Sequence, residues 1–192
     1  MHKMPILDNV IQDLIKLPKI WLTLVLGSLL SFIPLLNVFA FGYLYQVFRG
    51  VKRLGLPALP PWQNWRALLI DGIRFTVVWF GYMLMPCILA FLISSLMKHL
   101  GLGIISNILL LSTIVLSNIS FLTALSVYHV NENFKDLLNV KMIFLRARDN
   151  FPILIVPSTL FLGTFVCLLP LYGFGFFSGY LILLTYKSLV QD

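Results

Sequence analysis

The sequence predicts an all-α integral membrane protein. It has two short helical hairpins, spanning or re-entrant, as parallel repeats flanking two transmembrane helices, with amphipathic helices on the cytoplasmic side. Three observations predict this fold class. Of the 192 residues, 59% are hydrophobic and only 11% charged, whereas soluble domains carry about 25% charged residues; so little charge cannot cover a surface that faces water. The charges fall in clusters separated by uncharged runs at residues 20–48, 75–97, 100–128 and 150–186. One stretch is also written nearly twice, as "LVLGSLLSFIPLLN" at 24–37 and "LFLGTFVCLLPLYG" at 160–173.

The elements of this single membrane domain, residues 1–192, follow in order. Residues 6–16, "ILDNVIQDLIK", set Ile6, Leu7, Val10, Ile11, Leu14 and Ile15 on one face and Asp8, Gln12, Asp13 and Lys16 opposite. That is the pattern of a helix lying in the membrane interface, although a partner-binding helix would share it. Aspartates before the first apolar run, and no small-residue cleavage site after it, do not suit a signal peptide. Residues 20–48 exceed one span and carry Pro34 near their middle. Proline breaks the helical ladder and restricts the residue before it, so the run is either one kinked span or a hairpin. Residues 151–187 pose the same choice around Pro170.

Charge decides between the two. If both runs are hairpins, all 14 lysines and arginines except Lys98 share one side. If each is a single span, the split is nine to five. Basic residues collect in cytoplasmic loops, which favours the hairpins and places both termini in the cytoplasm, in a multi-pass protein of the cell's inner membrane. The first arm is short: from Ile20 to Ile33 it reaches roughly 21 Å, against a hydrocarbon core of roughly 30 Å. It therefore stops within the bilayer or thins it.

Between the hairpins lie a Trp/Pro loop at 49–74, transmembrane helices at 75–97 and 104–128, and an amphipathic segment at 132–149. Pro86 is a candidate kink, and Gly101-Leu102-Gly103 a turn. The amphipathic segment groups Phe134, Leu137, Leu138 and Leu145.

A shift of 136 residues lays Leu24, Leu26, Gly27, Pro34 and Leu35 on Leu160, Leu162, Gly163, Pro170 and Leu171, and Asn37 on Gly173. With one insertion, Gly42-Tyr43-Leu44 then meets Gly179-Tyr180-Leu181. Proline opens each turn, and Asn37 and Gly173 suit the left-handed conformation that reverses a chain. The glycines let helices approach closely. Helix packing accounts for the repeat; a ligand path at the hairpin tips is the sharper alternative, because broken helices at membrane depth need protein or water around them.

Pro34, Asn37, Gly42, Tyr43, Arg49, Leu59, Pro60, Trp62, Trp65, Asp71 and Gly72 spell a Pro-hydrophobic-Asn turn, Gly-Tyr, basic residues, a Leu-Pro-x-Trp-x-x-Trp loop and an acidic-Gly pair. In this the chain resembles an uncharacterised family of multi-pass prokaryotic membrane proteins, domain of unknown function 4013. Pro61 is a small departure from the loop pattern, and "FLRARDNFPILIVP" is similar to the family's second half. The resemblance implies a membrane location and no activity. On their own physics, Trp62 and Trp65 suit the headgroup belt.

No catalytic residue, metal site or cofactor emerges. His2, His99 and His129 fall at an end or at predicted boundaries, with His99 on the far side. No phosphate loop, nucleophile elbow or zinc motif is present. The excess of basic residues, +7, fits membrane topology and not nucleic acid, since no basic stretch alternates with aromatics. Asp71 and Arg74, three apart, are set to pair at the membrane edge. The spans lack Asp, Glu, Lys and Arg, which ion-coupled carriers need. Asn107, Asn118 and the serines between them make 100–128 polar enough to face protein or a cavity. The expected function is a non-enzymatic accessory, assembly or scaffold subunit, with the bilayer and other membrane subunits or a second copy as partners. The alternative is a small permease or lipid-handling protein, with a path lined by Pro34, Asn37, Pro170, Gly173, Asn107 and Asn118.

Overall fold

The computed structural model describes residues 7–190; Ile6 of the first amphipathic stretch lies outside them. Helix makes up 86% of the chain, with no strand among the described residues. The α-helices are α1 Leu7–Lys16, α2 Ile20–Phe32, α3 Asn37–Leu54, α4 Trp65–Trp79, α5 Met85–His99, α6 Gly103–Asn131, α7 Val140–Cys167 and α8 Tyr172–Leu189. Among the described residues, four helical stretches are long and apolar enough to cross a membrane: Trp65–His99, Gly103–Asn131, Val140–Cys167 and Leu169–Leu189. By length and composition this is a membrane protein. The chain groups into two compact units, Met1–Thr76 with Leu160–Asp192, and Val77–Thr159.

In the first unit, α8 is the centre, packed by α1, α2 and α3. The apolar stripe of α1 buries Val10 and Leu14, so at least part of this amphipathic face is covered by protein. A 100° bend separates α1 from α2, with Lys19 left-handed at φ 68°. α2 ends where the sequence places its proline: Ile33 is extended at φ −103°, ψ 114°, the conformation preferred by a residue before proline. The chain then re-enters helix at Asn37, whose N–H reaches Ile33 O at 2.8 Å. Around Pro170 a short 3-10 turn, Leu169–Leu171, leads into α8. Asn37 and Gly173 do not take the left-handed conformation expected of them. Both sit in the first turn of a helix; the break before Asn37 is a turn closed by its N–H on Ile33 O, and the break before Gly173 is the 3-10 turn Leu169–Leu171.

The loop after α3 is shorter than the run 49–74 suggested. α3 continues to Leu54, where Gly55 at φ 69° closes it with a bond from its N–H to Val51 O, a glycine cap. α4 opens at Trp65, with Asn64 at φ 55° accepting from Ala67 N–H at 3.2 Å, a side-chain cap.

In the second unit, the helical stretch beyond Val77 holds a π-turn, Phe80–Leu84, just before Pro86. The proline ring clashes with the carbonyl four residues back, that of Tyr82. Widening the turn, with Met85 N–H bonded to Phe80 O, absorbs that clash where the sequence suggested only a kink. Gly101, φ 80°, closes the turn between α5 and α6. Their contact is made by small polar groups: Ser94 Oγ and Ser106 Oγ lie 2.5 Å apart, and Ser106 also donates to Ser94 O at 2.9 Å. The 132–149 segment does not form the amphipathic face expected. Leu137 is buried within a 3-10 turn, Phe134–Leu138, while Leu138 is 80% exposed and Leu145 is also exposed. α7 instead buries Ile143 and Ala147 and runs on through Pro152 and Pro157 with no break before 151.

Candidate functional site

The family-like residues of the first unit converge on one clasp between α3, α4 and the Trp/Pro loop. At its base the two helices cross backbone to backbone. A Cβ on Gly42 would run into the Leu68 carbonyl, and one on Gly72 into the Val38 carbonyl, so both positions require glycine. Next to Gly42, the Tyr43 ring stacks on Trp62, with centroids 3.9 Å apart and planes at 7°. The Tyr43 hydroxyl donates to Pro60 O at 3.0 Å and lies 3.3 Å from Thr23 Oγ1. One tyrosine thus ties α3 to the loop and to α2.

One turn further along α3, Gln46 Nε2 donates to Asp71 Oδ2 at 3.0 Å and Arg49 Nη2 to Asp71 Oδ1 at 3.2 Å. Arg74 Nη1 stands 3.8 Å from the same oxygen. Asp71 is 7% exposed; an amide and two guanidinium groups around it offset the cost of burying a carboxylate. The sequence paired Asp71 with Arg74. The shorter and structurally more informative partner is Arg49, a contact across two helices that spacing alone could not reveal. Trp65, 51% exposed, meets Phe39 edge-on at 5.6 Å, whereas the Trp62 Nε1–H is buried without a protein acceptor. Of the two expected headgroup anchors, Trp62 is therefore largely a packing residue.

Of the candidate path residues, Pro34, Asn37, Pro170 and Gly173 fall in the first unit and Asn107 and Asn118 in the second. In the first unit the two helix breaks meet in direct contact. Tyr172 donates to Phe32 O at 2.6 Å, their rings are edge-on at 4.7 Å, and Gly173 lies under the Phe32 ring and the Ser28 carbonyl. Pro34 and Pro170 are exposed beside this contact, and Asn37 Oδ1 is buried without a protein donor. Gly27 accommodates the Phe177 ring and Gly179 the Phe161 ring, but nothing lies within 4 Å of a Cβ placed on Gly163. The matched glycines therefore do different jobs. In the second unit, Asn107 is exposed and Asn118 buried, about 16 Å apart along α6. Neither end of the Asn118 amide has a protein partner.

The second unit carries a feature the sequence did not single out. A groove runs between α6 and α7. Its larger part, about 480 Å³, is lined by Gly81, Tyr82, Pro86, Leu116, Ile143 and Phe144 among others. A smaller part, about 180 Å³, adds Ile119, Ala147, Arg148 and Phe151. Leu116, Ser120 and Phe144 line both. The Tyr82 hydroxyl, at the π-turn, donates to Leu137 O and fixes one end. Hydrophobic periodicity could not show this groove, because it depends on how α6 and α7 cross. Among the described residues, no three of His, Cys, Asp or Glu gather to hold a metal ion.

A family model described as protein of unknown function (DUF4013) matches residues 26–186. No curated protein and no solved structure matches the chain.

Proposed function

The chain belongs to the family of proteins of unknown function DUF4013, and from that premise we propose a non-enzymatic accessory, assembly or scaffold subunit of a membrane complex. It sits in the inner membrane of a prokaryotic cell with both termini cytoplasmic. The breaks at Pro34 and Pro170 are the tips of two short parallel hairpins, and the N-terminal amphipathic helix lies along the cytoplasmic face. The observation that carries the functional reading is the use made of the family-like residues. Gly42, Tyr43, Arg49, Trp62, Asp71 and Gly72 are spent on one another, which is the economy of a scaffold and not of a reaction centre. The apolar surface supports it as well: in the Trp65–His99 stretch only 11% of the apolar window is buried, leaving Leu89, Leu92 and Leu96 exposed for lipid or a partner helix. A path between the hairpin tips draws little support from tips that touch.

Native mass spectrometry of the complex, extracted in mild detergent from its own cell, tests the proposal. The expected result is one partner at fixed stoichiometry, released when Leu89, Leu92 and Leu96 are replaced together by Ala while helicity is unchanged. A chain that runs alone with lipid, both in wild type and in the variant, overturns it.

A further inference from the structure

We propose that the α6–α7 groove of the second unit holds an acyl chain of an anionic glycerophospholipid, with Arg148 at its phosphate. Three observations lead there. The walls are apolar: Pro86, Leu116, Ile143 and Phe144 in the larger part, Ile119, Ala147 and Phe151 in the smaller. A volume of about 480 Å³ falls within the ~300–1,000 Å³ of ordinary small-molecule sites.

The groove carries charge at one end. Among the described residues lining it, Arg148 is the one that is charged, which selects an anion. Its Nε lies 3.7 Å from Asp149, with both side chains 72% exposed. Such a surface pair is weak and screened, and a bidentate phosphate contact competes with it well.

Between the two parts stands Ser120, half-buried and lining both. The hydroxyl of Thr113, which also lines the groove, is spent on a carbonyl of its own helix, but among the described residues no protein group takes up that of Ser120. Phosphate, then ester, then hydrocarbon is the order of groups in a phospholipid. Arg148, then Ser120, then the apolar recess is the order of groups along the groove. The ester carbonyl accepts from Ser120 while the chain fills the recess toward Pro86. The inference does not rest on the scaffold proposal, since a subunit and a transporter could each carry this lipid.

The test uses the full chain in mixed micelles titrated with phosphatidylglycerol or phosphatidylcholine and read by native mass spectrometry. The expected result is a single retained phosphatidylglycerol, preferred by about tenfold or more, the worth of one charge-assisted contact. Arg148→Gln removes the preference while retention of either lipid persists. Leu116→Trp, which fills the groove from an exposed position, lowers retention of both, with helicity by circular dichroism unchanged in each variant. Equal retention of the two lipids by the wild type overturns the proposal. So does a preference that survives Arg148→Gln, retention that survives Leu116→Trp, or a dimer that Leu116→Trp dissolves.

Discussion

Asp71 holds the clasp from a position where a carboxylate is costly to bury. Replacing it with Ala leaves Arg49, Arg74 and Gln46 facing each other with no anion between them. The expected loss is roughly 2 kcal/mol, the scale of a charge-assisted hydrogen bond, read as a lower thermal midpoint in detergent. Arg49→Gln should cost less, because the half-exposed guanidinium is replaced by a neutral amide and Arg74 remains. The Asp71/Arg49 double-mutant cycle should return a coupling near 1 kcal/mol; a coupling of zero would mean that the pair does not tie α3 to α4. Gly42→Leu is a sharper probe. Its side chain has to enter the Leu68 carbonyl, so the helices must part, at roughly 3 kcal/mol by the measure of overpacked cores. Gly163→Leu, over open space, should be close to neutral in the same assay. At this scale the sequence was half legible. It singled out Gly42, Arg49, Trp62 and Asp71, but their partners across the clasp lie 19 or more residues away and follow only from how α3, α4 and the loop come together.

Elements were more legible, because their punctuation is local. Pro34, Pro170 and Gly101 each end or turn a helix where the sequence places them. The errors came where two local rules competed. The sequence put a boundary between an amphipathic segment ending at 149 and a hairpin opening at 151, but α7 runs from Val140 straight through Pro152 and Pro157. The 132–149 pattern suggested one amphipathic face, but Phe134 and Leu138 belong to a 3-10 turn whose period differs from that of α7. Pro86 shows what a proline does when the helix continues. The π-turn holds one extra residue, so returning it to α-helix rotates everything beyond it by about 100°. Pro86→Ala removes the clash that maintains the turn. In a background with Cys87→Ala and Cys167→Ala, Ser94→Cys and Ser106→Cys should cross-link readily, their hydroxyls being 2.5 Å apart in the native protein. Adding Pro86→Ala should cut the cross-linking yield severalfold by turning position 94 away from α6. An unchanged yield would show that the π-turn is held by the Tyr82 bond to Leu137 and not by the proline.

For the whole molecule, composition made the membrane legible at once, and the distribution of charge made a definite claim about orientation. The two rest on different physics. Helix length and apolarity are properties of each segment, whereas sidedness is decided by where Lys and Arg lie relative to the bilayer. One residue shows how the count can mislead: Lys187, taken as a surface charge, is 2% exposed. Removing it from the count still leaves Lys98 alone on its side, so the proposed orientation stands on the remaining residues. Single cysteines in the Cys87→Ala, Cys167→Ala background test it in intact cells with a membrane-impermeant maleimide. Asn64→Cys, in the loop before α4, should label only after the cells are opened, and Lys98→Cys should label from outside. Reversed labelling of these two would invert the orientation. Leu35→Cys and Leu169→Cys, both exposed at the helix breaks, then separate spanning hairpins from re-entrant ones. A tip that crosses the bilayer labels as fast as Lys98→Cys. One that stops within it is slowed by orders of magnitude, because hydrocarbon excludes both the charged reagent and the thiolate it needs. The short arm of α2, 13 residues or roughly 20 Å, predicts the slow result for Leu35→Cys. Leu169→Cys should label as slowly, because the two breaks touch through Tyr172 and Phe32 and so stand at one depth.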